Sequence, residues 1–597
     1  MQPVDFTTLA AVCADLNDSW QPARVEQVFQ RNPFTVFLCL RTLNSRGWLA
    51  ISWHPQAARI HVAAPPPKAP DTFTFSQQLL HQIKGFALVN YAWVAPWERV
   101  VDLQFAKRPG DPVQWHLYVE IMGKYSNAIL THADQTIVTA AHQVSDQQSS
   151  LRPIQTGQPY VPPPKLTDAV PSLEESQQNW QGRVGLIPDR LQRQLVKTYR
   201  GISTPLARTL IRRAKLPADI TTDQLGDRQW QDLFTQWQAW LKALESKEFT
   251  PAFDDANPKK PGYTVLGERA AVESIQVLLD RYYGSRLNED AFKRLHHQLR
   301  QKIAGYLKKL TKKRDGFGDR LDLSEDAEAY RQKADLLMAY LHQWRIGMEK
   351  ITLNDFETGE PVTIPLDPTI NAQGNAQKLY KKHQKLRRSR QAIKPLLNAV
   401  NAEIQYLEQV DEALDECNIY RTVEDLSALE EIRDELIEQN YMADPGYQRP
   451  KRTDDDISYR RYHTASGYEI WVGRNNTQND RLTFRLAGDY DLWFHAQEIA
   501  GSHVLLRLPP GETADETDLQ TAANIAALHS RGRQADAVPV VYTKPKSVYK
   551  PKGAKPGMAI YKNETILWGH PNKVTPKVQI LASEDKSAGR QEKLTKK

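Results

Sequence analysis

Three cysteines stand in 597 residues, Cys13, Cys39 and Cys417, and no two of them form a C-x-x-C pair. That scarcity argues against a disulfide scaffold and against a cysteine-built zinc site, and it points to a reducing compartment. No apolar run approaches the roughly 20 residues that a membrane span needs. The opening MQPVDFTTLAAVCADLNDSW has neither the basic start nor the continuous apolar stretch of a signal peptide. Neither membrane insertion nor export by the usual route is expected. Catalytic signatures are also missing: there is no G-x-x-x-x-G-K-[ST] phosphate loop, no H-E-x-x-H and no G-x-S-x-G elbow.

Charge, in contrast, is plentiful. A quarter of the residues are charged, and 78 Lys+Arg against 71 Asp+Glu leave a formal charge of +7. An excess this small says little by itself; its distribution has to carry any nucleic-acid argument. The length suggests several domains, at about 150 residues each.

Residues 1–165 read as mixed strand and helix. Val25–Gln30, Phe34–Arg41, Gly47–Ile51 and Arg59–Val62 follow one another at hairpin spacing. A helical rhythm over Phe75–Val89 uses Leu79, Leu80, Ile83 and Phe86, and strands are expected at Val100–Phe105 and Trp115–Ile121. Pro162-Pro163-Pro164 marks a boundary. Residues 185–245 read as helical with one interruption, Tyr199 to Pro205. Gly201 followed by Ser203-Thr204-Pro205 supplies a stop and a fresh cap. This spacing suits a helix-hairpin-helix offering backbone N–H groups to a phosphate, and equally an ordinary tight turn.

Residues 265–445 carry the clearest periodicity. Leu379, Leu386, Ile393, Val400, Leu407 and Leu414 recur every seven residues, with Leu396, Leu397, Ile404 and Val410 as a second row, and Pro395 expected to bend or interrupt the helix. An earlier stretch runs through Leu295, Leu299, Ile303, Leu307 and Leu310 and resumes at Leu336, Leu337, Leu341 and Trp344. Between them, Ile351–Leu353 and Val362–Leu366 flank Thr358-Gly359 as a hairpin, within a tip near 347–374. The whole predicts an antiparallel coiled-coil arm. Beyond Pro445-Gly446, residues 446–580 alternate strands (Tyr468–Val472, Leu482–Phe484, His503–Leu508, Val538–Thr543) with a helix at Leu519–Ser530. Residues 583–597 are polar and expected to be disordered. The predicted fold class is multidomain α+β: a β-rich N-terminal domain, a helix-hairpin-helix, a long antiparallel coiled coil and an α/β C-terminal domain.

Positive charge is clustered. Lys378, Lys381, Lys382, Lys385, Arg387, Arg388, Arg390 and Lys394 fall in nineteen residues without an acid. A solvated helix face normally mixes signs, so unmixed charge near the end of an arm points to RNA phosphates. Lys308, Lys309, Lys312, Lys313 and Arg314 add to it. A second acid-free run holds Lys544, Lys546, Lys550, Lys552, Lys555 and Lys562 with Tyr549 and Tyr561 interleaved, a pattern that grips phosphates and stacks bases, or guards an edge strand. Asp489, Asp491, His495 and His503 come nearest to a metal set, although isolated residues of this kind are more often structural. A DNA-glycosylase or nuclease reading has the β-rich domain and the helix-hairpin-helix in its favour. Against it, Gln2 stands where that family's proline nucleophile would be, and no zinc-finger cysteines appear near the C-terminus.

Several longer motifs carry a resemblance. Val472-Gly473-Arg474-Asn475-Asn476-Thr477-Gln478-Asn479-Asp480, Leu492-Trp493-Phe494-His495-Ala496 and Gly501-Ser502-His503-Val504 are similar to the NFACT-R domain. Asn375-Ala376-Gln377-Lys378-Leu379-Tyr380-Lys381-Lys382 resembles the signature opening the family's second coiled-coil helix. Glu120-Ile121-Met122-Gly123-Lys124-Tyr125-Ser126-Asn127 and the close at Tyr160–Pro164 resemble NFACT-N. The chain thus resembles the NFACT family over nearly its whole length, and within it the bacterial RqcH-type, fibronectin-binding-protein-A-like branch related to eukaryotic NEMF. The resemblance implies a non-enzymatic ribosome-quality-control factor in the cytoplasm. It would bind large ribosomal subunits obstructed by peptidyl-tRNA and recruit tRNA, alanyl-tRNA in bacteria, for C-terminal tailing without mRNA, while the ribosome forms the peptide bonds. The family's functional Asp falls on Asp5, and its tRNA-recruiting Asp-Arg pair on Glu98-Arg99, where Glu sets the carboxylate one methylene farther out. No cofactor, membrane or DNA partner is implied. The rivals are a surface adhesin for fibronectin, which cell fractionation would expose, and a nucleic-acid lyase or nuclease.

Overall fold

The computed structural model describes residues 1–66, 71–149, 151–164, 168–254, 261–268, 272–323, 326–443 and 458–574. Of these, residues 1–288 form one compact unit and residues 289–443 with 458–574 another. The expected tail at 583–597 and the turn at Pro445-Gly446 lie outside the described residues.

The first unit opens with helix α1 (Phe6–Trp20). Strands β1 (Ala23–Asn32), β2 (Thr35–Arg41), β3 (Arg46–Ser52) and β4 (Arg59–Ala63) follow, then α2 (Thr74–Ile83). Strands β5 (Ala87–Trp93), β6 (Val100–Ala106), β7 (Trp115–Glu120), β8 (Asn127–His132) and β9 (Ile137–Ala140) complete the set. Their order is β4-β3-β2-β1-β5-β6-β7-β8-β9, and every described pairing is antiparallel. The expected helix over Phe75–Val89 is too long. It stops at Ile83, because Gly85 takes φ +84, and the chain turns into β5 at Ala87.

Four helices come next: α3 (Gln177–Val184), α4 (Leu191–Thr198), α5 (Thr204–Arg213) and α6 (Asp227–Ser246). The helical region starts eight residues before 185 and has two breaks besides the one expected at Tyr199 to Pro205. Along α6, Trp230, Leu233, Trp237, Trp240 and Leu241 are buried at helical spacing and pack with Trp180 of α3. A short hairpin, β10 (Ala252–Asp254) with β11 (Gly262–Thr264), precedes α7 (Ile275–Asp322).

In the second unit α7 continues, followed by α8 (Ala327–Ala339), the hairpin β12 (Lys350–Asn354)–β13 (Pro361–Pro365), α9 (Ala372–Glu416) and α10 (Val423–Glu438). Helices α7 and α9 run antiparallel: His296 Nε2 meets the Leu414 carbonyl at 2.9 Å, and one turn later Arg300 reaches back to Asp411 at 3.1 Å. Leu299 and Ile303 face Val400, Ile404, Leu407, Val410 and Leu414, and α10 closes the core with Leu429, Ile432 and Leu436. The seven-residue row is therefore buried from Ile393 onward and joins this core from Val400 onward. Leu379 and Leu386 are only half-buried, and Leu396 is 50% exposed and belongs to no seam. Pro395 lies inside α9 without interrupting it. The first arm's row ends at Ala339, since Leu341 and Trp344 fall in a 3-10 turn and the bend after it. The expected hairpin forms, pairing Ile351 with Ile364, and both pack on Leu336, Leu337 and Ala376.

The C-terminal sheet contains β14 (Arg460–His463), β15 (Glu469–Val472), β16 (Leu492–Ala496), β17 (Val504–Leu506) and β18 (Val538–Thr543). A two-stranded ribbon, β19 (Val548–Tyr549) with β20 (Ile560–Tyr561), stands apart, and β21 (Thr565–Gly569) closes the sheet in the order β14-β15-β17-β16-β18-β21. Two helices accompany it, α11 (Asn476–Arg481) and α12 (Glu516–Leu528). Ala522, Ala523 and Ala526 of α12 lie in the core with Val504 and Val540. The strand expected at Leu482–Phe484 is instead a π-helical turn continuing α11. Its apolar residues bury Leu482 against Trp493 and Leu505, a contact that helix and strand spacing both permit over three residues.

Candidate nucleic-acid interface

In the first unit Asp5 and Ser203 meet at one junction, and Arg99 reaches the residue before Asp5. Asp5 caps α1: its Oδ1 accepts from the Thr8 amide at 2.8 Å. Its Oδ2 accepts from the Ser203 hydroxyl at 2.5 Å. Ser203 is itself the cap of α5, accepting from the Leu206 amide at 3.1 Å. The helix end that the sequence offered to a phosphate is thus faced by an internal carboxylate. Gly201 makes this possible, with φ +72 and the Trp97 ring so close that a Cβ would come within 2.6 Å of it. Asp5 is buried, and both of its oxygens hold helices in place.

Glu98 and Arg99 are half-buried on the β5–β6 connection. The Glu98 amide closes a turn onto the Ala95 carbonyl at 3.3 Å. Arg99 donates from Nη1 to the Val4 carbonyl, one residue before Asp5, at 3.5 Å, and makes no ion pair among the described residues. Nη1 is the one guanidinium nitrogen with a described hydrogen bond, out of a fork that carries five N–H donors. Glu120 and Tyr160, by contrast, are scaffold. Buried Glu120 takes both arms of Arg152 and the Tyr160 hydroxyl, while Tyr160 stacks on Tyr118 with centroids 3.8 Å apart.

The Asp5 geometry gives a test of its own. Asp5→Ala should destabilise the first unit by about 1–2 kcal/mol, the usual value of a lost cap, and Asp5→Asn, which can still cap, by much less. Equal losses in thermal midpoint for the two variants would show that the negative charge, not the cap, is what matters.

In the second unit the acid-free stretch of α9 is exposed along Lys378, Lys381, Lys382, Lys385, Arg387, Arg388, Arg390 and Lys394. Two of these are engaged: Lys378 pairs with Asp367 at 2.5 Å, and Lys382 donates to the Tyr330 hydroxyl at 2.7 Å and lies over its ring. Lys381, Lys385, Arg387 and Arg388 have no ion pair among the described residues, which leaves concentrated positive charge facing solvent.

The second lysine run borders the β19–β20 ribbon. Lys544, Lys546, Lys552 and Lys562 are exposed, and Lys562 lies over the Tyr549 ring, itself 41% exposed. Lys550 instead pairs with Asp480, and Lys555 sits over Tyr406 and Tyr441 of the arm. Tyr561 is half-buried against Trp493, so Tyr549 is the stacking surface left of the two. Replacing Lys544, Lys546 and Lys552 with Glu should weaken binding to a single-stranded RNA roughly tenfold or more at moderate salt, with a shallower salt dependence. An unchanged affinity would make the run a guarded edge.

Asp489, Asp491, His495 and His503 do not converge on one point. Asp491 accepts from the Gly488 and Leu508 amides and pairs with Arg507. His503 meets the Thr483 hydroxyl at 2.7 Å. Among the described residues no three His, Cys, Asp or Glu gather as a metal site. Burial lowers His503 to about 3 and His495 to about 4. In the unfolded chain each takes a proton near pH 6.5. The unfolded state therefore binds more protons below that value, and the stability of this domain, full above about pH 6.5, falls as the pH drops toward 4 and 3. Amide exchange of β16, corrected for intrinsic rates, should lose protection between about pH 7 and pH 5. Constant protection would mean that the two imidazoles are solvated.

The long C-terminal motif has a role that its sequence did not show. Asn475 and Gln478 donate to Glu431 of α10, each at 2.8 Å. Asn476 and Thr477 donate to Glu435, and Arg474 pairs with Asp425. Asn479 accepts from the His503 amide at 3.0 Å. Asn475, Asn476, Gln478 and Asn479 are buried. The motif fastens the sheet domain to its arm, and the exposed lysines do not belong to it.

With this geometry in place, comparison with known proteins settles the family. A family model described as NFACT N-terminal and middle domains matches residues 5–455, and one described as the NFACT protein RNA binding domain matches residues 458–563. The chain belongs to the NFACT family. It is 30% identical over 571 residues to the Rqc2 homolog RqcH of Bacillus subtilis (strain 168), covering 94% of this chain and 96% of the relative. The RqcH homologue of Streptococcus suis (strain 05ZYH33) is 30% identical over 579 residues, with the same coverage. The solved C-terminal part of the fibronectin/fibrinogen-binding protein from Streptococcus suis is 30% identical. It covers 48% of this chain and 99% of its own, with a TM-score of 0.37. The exposed Lys544, Lys546 and Tyr549 fall within the NFACT RNA-binding match, and Asp5, Arg99 and the α9 lysines within the N-terminal and middle match.

Proposed function

We propose that this NFACT protein is a cytoplasmic ribosome-quality-control factor. It binds large ribosomal subunits still carrying peptidyl-tRNA and recruits tRNA, alanyl-tRNA above all, so that the ribosome extends the stalled chain at its C-terminus without mRNA. The observation that carries the reading is the near full-length likeness to RqcH relatives in a chain whose α9 exposes a run of cations. On this reading the α9 face and the β19–β20 lysines meet rRNA or tRNA phosphates. Arg99, positioned by the Asp5–Ser203 junction, contacts the recruited tRNA. The protein binds and positions, and the chemistry is the ribosome's. Among the described residues no helix is long and apolar enough to cross a membrane, and no part of the proposed role calls for one.

Purifying the tagged protein from cells and sequencing its bound RNA tests the reading. Recovery of large-subunit rRNA with one enriched tRNA is expected. Recovery of mRNA or DNA fragments alone would overturn it.

A further inference from the structure

Between α1, the β5–β6 connection and α6 runs an open groove of about 420 Å³ that the RNA reading leaves unused. Its floor is aromatic. The Phe6 ring meets Trp93 on one side and Trp97 on the other, with centroids 5.0 and 4.8 Å apart, and Trp97 meets Trp240 at 5.7 Å. Trp93 leaves 38% of its surface to solvent. Trp97 is held at φ +64, a left-handed conformation rare for a bulky side chain and a mark of functional positions when the surroundings enforce it. Gly201 leaves room for the ring in this position.

The rim has one sign. Glu174 and Glu245 line the groove, both are exposed, and neither forms an ion pair among the described residues; no lysine or arginine lines it. A phosphate would find no cation there and two carboxylates opposing it. A cation would find the negative faces of the rings and the same two carboxylates attracting it.

We propose that this groove binds an arginine side chain presented by an extended segment of a partner protein. A planar guanidinium can lie flat on an indole and still direct its fork of N–H groups to a rim carboxylate, whereas an ammonium is more strongly hydrated and has no face to stack. The volume exceeds one side chain, which suits a segment and not a lone residue. Arg99 does not line the groove, although Trp97 lies two residues from it on the same β5–β6 connection, and the choice of probes keeps this proposal distinguishable from the RNA reading.

Fluorescence anisotropy on the full chain tests it with three labelled probes: an alternating arginine-glycine hexapeptide, its lysine-glycine counterpart and a hexauridylate. The arginine peptide should bind most tightly. Trp93→Ala and the pair Glu174→Gln with Glu245→Gln should each weaken it about tenfold, Trp93→Phe should restore most of the loss, and hexauridylate binding should not change. Arginine-peptide affinity unaffected by the carboxamide pair would overturn the proposal. So would loss of hexauridylate binding in Trp93→Ala, which would give the groove to a nucleobase.

Discussion

Reversing Lys381, Lys385, Arg387 and Arg388 to glutamate is expected to lower affinity for large ribosomal subunits by about a hundredfold or more near physiological salt. These four cations are exposed on α9 and have no ion pair among the described residues, so their replacement breaks no internal salt bridge described there. If each neutralises one phosphate, each releases condensed counterions on binding. The log–log salt slope should then flatten by about 0.7–0.9 for every phosphate no longer neutralised, or roughly three for the set. Lys378 and Lys382 make the internal control. Because they already serve Asp367 and Tyr330, reversing them should perturb the tip fold more and the salt slope less. Sedimentation of labelled variant with purified subunits across a salt series gives both quantities. Binding that is unchanged at low and at high salt would reduce the run to a solvated helix face.

How much of the fold was legible in the sequence depended on range. Elements defined by local rhythm and held by neighbours were found: the succession of strands from β1 to β4, the β12–β13 hairpin and the Val400–Leu414 seam all follow from spacing. The errors came where two periods fit the same few residues. Phe86 extends the rhythm of Leu79, Leu80 and Ile83, yet Gly85 had already ended the helix. Leu482–Phe484 is too short for strand and helix spacing to differ. Leu396 satisfies a heptad count but is 50% exposed, while Ile393 three residues before it is buried. Partnerships across long separations had no local signal at all. Ser203 lies 198 positions from Asp5, and Glu431 and Glu435 lie more than forty from the amides they hold.

The same distinction divides the family motifs. Those long enough to be recognised are mostly scaffold: Glu120 and Tyr160 lock one sheet, and Asn475 to Gln478 tie another domain to its arm. A long motif of polar residues survives burial only when every donor and acceptor is matched, which constrains all of its positions together. Exposed phosphate-binding lysines need only charge in about the right place. Within a recognisable motif the buried residues are therefore poor guides to the interface, and exposed cations such as Lys381 are better ones.

Arg99, like Lys381 of the Asn375–Lys382 motif, came from the resemblance, and its guanidinium has one described hydrogen bond and no ion pair among the described residues. Arg99→Ala should abolish tRNA recovery with the purified protein while leaving co-sedimentation with large subunits largely intact, because the α9 cations belong to a different compact unit. Losing a charged hydrogen bond to RNA costs roughly 1.5–3 kcal/mol, about ten- to a hundredfold in affinity. The single bond to the Val4 carbonyl at 3.5 Å is long, so the variant should fold normally, and an unchanged thermal midpoint would separate a missing RNA ligand group from a damaged fold. Glu98→Asp probes the neighbouring departure from the family pair. Glu98 sits in a turn closed by its own amide, and shortening its side chain moves the carboxylate without disturbing that turn. A mild or harmful effect on tailing would mean that the longer side chain suits this protein, and a sharp gain would mean that Glu98 weakens the pair. Should Arg99→Ala keep both tRNA and tailing, the fork that the fold leaves open on the β5–β6 connection has no RNA to hold.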